Sequence, residues 1–176
     1  MRTYDVVLAL GAFFLSGALH VSEYLMKGAG TVGEVRRLTT TGKFAPLFAP
    51  LVIGIFGFGL WMLHLDEGKA YHAKDAWIST AMVVLLVLFL DGPLVMARYG
   101  KKLETLVAAT PDGPVTDEIR HEVRATVPWV VGHANTFAAL AVILLMTSKP
   151  SAAYSIVTVL VGAAIGGGLG LVLSRR

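Results

Sequence analysis

The sequence predicts an all-α transmembrane bundle of five spans, and three observations predict it. The chain has 176 residues, of which 55% are hydrophobic and 15% charged. With a mean hydropathy of +0.69, it lies outside the range of water-soluble domains. Five apolar stretches, at 5–26, 46–65, 76–97, 127–147 and 153–173, each suffice to cross a hydrocarbon core, which takes about 20 residues of helix. The loops between them alternate in charge: eleven Lys and Arg fall on one side and four on the other. The positive-inside rule then puts the N-terminus outside and the C-terminus in the cytoplasm of a bacterial inner membrane. The whole of 1–176 reads as one membrane domain. Its formal charge of +3 comes from those loops and not from one basic face, so nucleic acid is not the expected partner. Without cysteine there is no disulfide, thiolate metal site or covalently attached haem.

The first stretch carries His20 and Glu23 within an apolar helix. Ionisable groups in hydrocarbon are costly and usually find partners inside the bundle. The stretch is too long for a signal peptide and no small-x-small cleavage site follows it. The loop at 27–45 carries Lys27, Arg36, Arg37 and Lys43. The second span ends at His64, near Asp66, Glu67 and His72, a shallow cluster on the outer side. The third contains Asp91-Gly92-Pro93, where Gly and Pro kink the helix and free backbone groups that Asp91 can satisfy.

The loop at 98–126 divides at Pro111-Asp112-Gly113-Pro114, a turn signal. Thr116 with Asp117 and Glu118 reads as an N-cap with acids on the helix dipole. The short helix after it sets Ile119 and Val123 on one side, with Arg120, a solvated His121 and Arg124 on the other. Pro128 opens the fourth span. The fifth carries Gly162, Gly166 and Gly170 at two successive GxxxG spacings, a face that lets another backbone approach closely, in an oligomer or within its own bundle. Trp61, Trp77 and Trp129 fall near span ends, as interfacial anchors do.

This topology assigns depths. His20, Asp91 and His133 each lie about six residues, roughly 9 Å, from the cytoplasmic end of their spans. Neutral imidazoles on facing helices suit axial ligation of haem b, and Gly17, Ala18, Gly132 and Ala134 leave room for a macrocycle. His20 and His133 with Asp91 or Glu23 also suit a transition metal, and Asp91, His20 and Glu23 suit a proton or ion relay. A purely structural reading has equal weight: His20 pairs with Asp91, and His133 with Asn135 or a backbone carbonyl. Met26, Met62 and Met96 read as packing residues. No nucleophile triad, zinc-protease motif or phosphate loop is present, since 166–170 lies inside an apolar span.

Ala18-Leu19-His20-Val21, Phe58-Gly59-Leu60-Trp61, Asp75-Ala76-Trp77-Ile78 and the run LAVILLMTSKP at 140–150 resemble a bacterial family of integral membrane proteins known as domain of unknown function 2269. The likeness covers a four-span core at 1–150 and leaves the fifth span, 153–173, outside it. That family is similar in layout to copper-resistance D-type proteins and flavin-free protoporphyrinogen oxidases, in which a first-span histidine is prominent. The resemblance implies a haem- or metal-related role for His20. The reading expected first is a bundle binding haem b, or a transition metal, through His20 and His133 for electron transfer or haem-linked redox chemistry. The expected alternatives are an accessory subunit of a membrane complex, joined through the glycine face, and a metal or proton transporter.

Overall fold

The computed structural model describes the backbone of residues 3–65, 72 and 74–176. Among the described residues there are helices and no strand, apart from an isolated bridge between Thr31 and Pro114. In order the α-helices are α1 (Thr3–Gly28), α2 (Val32–Thr39), α3 (Phe48–Leu65), α4 (Ala76–Asp91), α5 (Ala97–Ala109), α6 (Asp117–Val123), α7 (Thr126–Ser148) and α8 (Ala152–Arg175). A 3-10 segment, Thr40–Leu47, leads into α3, and a π-helical turn, Gly92–Met96, joins α4 to α5. Each of the five apolar stretches is helical. Four helical runs, Val32–Gly57, Ala76–Ala109, Asp117–Ser148 and Ala152–Arg175, contain a stretch long and apolar enough to cross a membrane.

The distribution of side chains is that of a multi-pass membrane protein. Phe14, Val21, Leu25, Val83, Leu86, Tyr154, Leu160 and Ile165 point outward and are exposed. Buried positions of α8 are Ser155, Gly166, Gly170 and Ser174. Large apolar residues outside and small ones inside suit helices that pack by close approach in a medium as apolar as leucine.

α7 and α8 form an antiparallel hairpin with the most extensive contact in the molecule. It turns at Lys149, which has a left-handed φ of 48° and whose amide donates to Leu145 O, and Pro150 prevents the helix from continuing. The glycine face of α8 is used here. A Cβ added at Gly162 would lie 3.1 Å from Phe137 O, at Gly166 2.3 Å from His133 O, and at Gly170 2.2 Å from Trp129 O. Of the two readings of this face, packing within the bundle is the one observed: the three glycines face α7. α4 lies against the hairpin through Ala81 and Val84 on Ala138 and Val142.

At the end of the bundle where α1 and α8 finish, α2, α5 and α6 pack into a cap. Its core is Val32, Val35, Val107, Ile119 and Val123, joined by Met26, Leu103, Leu106 and Val115. The expected short helix after Thr116 is present, with Thr116 Oγ1 accepting from the Ile119 amide at 3.3 Å, and His121 is exposed as expected. The expected loops at 27–45 and 98–126 also contain α2 and α5, short helices too polar to stand out as spans. The signal for α2 is a capping box, Thr31-Val32-Gly33-Glu34. The Glu34 amide donates to Thr31 Oγ1 at 3.3 Å, while Glu34 Oε2 accepts from the Gly30 amide at 2.8 Å and the Thr31 amide at 3.2 Å.

Those two amide donors hold the exposed Glu34 carboxyl below its ordinary pKa. A carboxylate whose folded pKa is depressed contributes stability fully above the unfolded value, about 4.3, and loses it as pH falls through the folded value. Wild-type protein should therefore exceed Glu34→Gln in thermal stability at neutral pH, with the gap closing below about pH 4. A gap that stays constant with pH in melting experiments would refute the assignment.

Candidate functional site

Depth along the spans singles out His20, Asp91 and His133, and the fold brings the two histidines together. Their ring centroids are 4.3 Å apart with planes tilted by 32°. His20 is carried by α1 and His133 by α7, and Gly132 makes the approach possible: a Cβ there would lie 3.2 Å from His20 Cε1 and 3.6 Å from Met96 Cε. His133 is 8% exposed and stacks on its other side with Trp129, at 5.6 Å and 16°. The Lys27 ammonium lies 4.6 Å from the Trp129 ring centroid, a cation–π distance. Lys27, Trp129, His133 and His20 thus form a ladder from the end of α1 into the bundle.

Trp129 is not the interfacial anchor expected from its position. It is 2% exposed, and its indole N–H donates to Val123 O at 2.9 Å. Position near a span end places a tryptophan at the right height, while the α6–α7 corner turns it inward.

Hydrogen bonds define the protonation pattern. His133 Nδ1 lies 2.9 Å from Trp129 O. A carbonyl only accepts, so Nδ1 carries hydrogen and the neutral ring keeps its lone pair on Nε2. His20 uses both nitrogens: Nε2 is 2.8 Å from Thr136 Oγ1, and Nδ1 is 3.1 Å from Glu23 Oε2. Thr136 Oγ1 donates to Gly132 O at 3.0 Å and lies 2.9 Å from Ser16 Oγ. With its one hydrogen committed to Gly132 O, Thr136 accepts from His20 Nε2–H. One proton then lies between His20 Nδ1 and Glu23, giving either imidazolium with carboxylate or neutral imidazole with carboxylic acid. Both forms have the same net charge. Glu23 and Ser16 are seven residues apart on α1, a chain of about 10 Å.

The remaining expected residues are placed differently. Among the described residues, Asp91 has no hydrogen bond or ion pair with His20 or His133; Met96, the last residue of the π-helical turn, is the residue of that segment at the site. Of the two partners expected for His133, the backbone carbonyl is the one observed, that of Trp129, and not Asn135. The structural pairing expected for His20 with Asp91 is replaced by Glu23 and Thr136. The outer cluster of His64, Asp66, Glu67 and His72 lies outside the described side chains, apart from His72, whose amide donates to Asp75 Oδ2 at 2.9 Å. Thr136 and Ser16 were not singled out from the sequence, because hydroxyls in apolar spans ordinarily bond to their own helix and carry no spacing signal.

The ring geometry bears on cofactors. Two imidazoles sharing one metal in line are separated by two bonds of about 2 Å plus the ring radii, which exceeds the 4.3 Å between these centroids. The pair as arranged does not bracket a haem iron. Among the described residues there is also no group of three His, Asp or Glu able to hold a metal ion. Compared with known proteins, the chain matches no family model, no curated protein and no solved structure.

Proposed function

We propose that this chain is a five-span protein of the bacterial inner membrane, N-terminus outside, that conducts or couples protons through Glu23, His20, Thr136 and Ser16. The observation that carries this reading is the double engagement of His20, which links a carboxyl on one nitrogen to the Thr136 hydroxyl on the other. Transfer onward to Ser16, 2.9 Å away, needs the Thr136 hydroxyl to turn from Gly132 O to Ser16 Oγ as it takes the proton from His20 Nε2. The 26-residue α1 supplies the span that joins the four apolar runs. The charge asymmetry of the loops supports the orientation. The resemblance to the domain of unknown function 2269 family supports putting the first-span histidine at the centre. His133 closes the site from α7 and shields the shared proton from Trp129 and Lys27.

A second reading rests on the free Nε2 lone pair of His133. A histidine whose Nδ1–H is held by a carbonyl is oriented as a metal ligand. Single-histidine binding of haem b, or of a transition metal with Glu23, is the function this would support, with His20 moved away from the ring it now stacks on. If so, the bound group supplies one-electron redox chemistry, and the chain's own contribution is the orientation of His133 by Trp129.

Proteoliposomes with a trapped pH indicator distinguish the two. Under an imposed potential, wild-type protein should pass protons, with a loss of at least about tenfold in Glu23→Gln and His20→Leu and none in His121→Ala. Equal flux in wild type and His20→Leu would overturn the relay. A Soret band in purified protein that disappears in His133→Ala and survives in Glu23→Gln would establish the second reading in its place.

A further inference from the structure

Beside the ladder, at the junction of α1 with α6, lies a shallow cleft that the proton chain does not use. Its rim is Lys27, Arg120 and Arg124, and its floor is apolar, formed by Met26, Val115 and Val123. Lys27 is pinned there, because its ammonium donates to Leu173 O, one of the last carbonyls of α8, and lies over Trp129. It is close enough to Arg124 for the two like charges to act on each other.

Among the described residues no acid forms an ion pair with this rim. Arg120 and Arg124 are exposed, and among the described residues neither has a hydrogen-bond or ion-pair partner for its guanidinium. The acid closest to them in sequence, Glu122, is turned into the cap, where Lys102 holds its Oε2 at 2.6 Å. Asp117 and Glu118 lie in the first turn of α6, and among the described residues neither forms an ion pair with Arg120 or Arg124. The fold therefore gathers three cations around an apolar floor and sends the neighbouring carboxylate elsewhere.

The setting selects the ligand. The cleft sits where α1 ends and α7 begins, on the side that carries most of the Lys and Arg. Val21 and Leu25, six and two residues before Lys27 on α1, are exposed apolar side chains on the same stretch of helix. A group that fits is anionic at one end and apolar at the other. We propose that Lys27, Arg120 and Arg124 bind the phosphodiester head group of an anionic glycerophospholipid of the cytoplasmic leaflet. Guanidinium groups suit phosphate oxygens by shape and charge, and basic pockets beside spans on the cytoplasmic side are suited to such head groups. This site rests on the membrane placement of the chain and is independent of proton transfer.

Native mass spectrometry of the detergent-purified full chain, with phosphatidylglycerol, phosphatidylcholine or inorganic phosphate added, tests it. Phosphatidylglycerol should be retained in preference to phosphatidylcholine. Retention should fall at least about tenfold in Arg120→Gln/Arg124→Gln, stay close to wild type in Arg120→Lys/Arg124→Lys, and be unaffected in Arg98→Gln/Lys101→Gln, which removes the same charge from exposed positions of α5. Both arginines are exposed, so the glutamine variant should melt with wild type when no lipid is added. Equal loss in the α5 control, equal retention of the zwitterionic lipid, or displacement of the lipid by millimolar inorganic phosphate would overturn the proposal.

Discussion

Alanine at Gly166 or Gly170 is expected to force α8 away from α7 and lower the melting temperature, while alanine at Gly168 is expected to do neither. The reason is which atoms stand in the way. At Gly166 and Gly170 a Cβ would meet backbone, the carbonyls of His133 and Trp129, at 2.3 and 2.2 Å, whereas nothing lies within 4 Å at Gly168. Backbone in a packed helix cannot step aside as a flexible side chain can, so each substitution should cost at least the usual overpacking penalty of about 1–3 kcal/mol. At Gly168 the better helix propensity of alanine, up to about 1 kcal/mol, has nothing to oppose it. Gly167→Ala, whose Cβ would meet Val130 at an ordinary 3.6 Å, belongs with Gly168. Thermal unfolding in detergent checks the series, and equal melting temperatures for the Gly166 and Gly168 variants would show that the helices are not held this way. The effect should reach the site as well. Trp129 O, which faces Gly170, is the acceptor for His133 Nδ1.

Loss of Arg36 is expected to be the largest single-residue effect in the cap. Its Nη2 donates to Val107 O at 3.0 Å and Thr110 O at 2.8 Å, and its Nη1 to Asp112 at 2.7 Å. The two carbonyls belong to the end of α5, where backbone acceptors have no helical partner. The ion pair with Asp112 joins side chains 42% and 72% exposed, so water and salt leave it little of its own. Most of the contribution comes from the carbonyls, and Arg36→Met should cost about 1.5–3 kcal/mol, the range for hydrogen bonds to charged groups. Arg36→Lys should not recover it, because an ammonium does not reproduce the planar fork. Asp112→Asn should cost much less. Hydrogen exchange at the end of α5, together with the melting temperature, reads the difference; parity between Arg36→Met and the exposed Arg37→Met would contradict it.

What could be read in the chain differs from residue to residue for physical reasons. Span length and hydropathy locate helices because a backbone in hydrocarbon must bond to itself, and all five apolar stretches are helical. The kink expected at Gly92-Pro93 takes the form of a π-helical turn, since a proline has no amide hydrogen and the ladder slips by one residue to restore its bonds. α2 was legible in its capping box, a signal that hydropathy does not carry. Depth, counted from span ends, put His20, Asp91 and His133 at one level. It says nothing of azimuth, and so brought in Asp91 alongside the two histidines that meet.

The sequence by itself determined a helical membrane chain, its basic and neutral ends, the level of its ionisable residues and the close-packing face of its last helix. These follow from composition and spacing along one dimension. Only the tertiary structure decided that the glycines receive α7, that Trp129 is buried, and that His20 has Glu23 and Thr136 as partners instead of Asp91. It also decided that His133 stacks on His20 with no gap between the rings. Each of these depends on the rotation of one helix about its axis relative to another. That rotation is set by the sum of many small contacts, and no short motif encodes it.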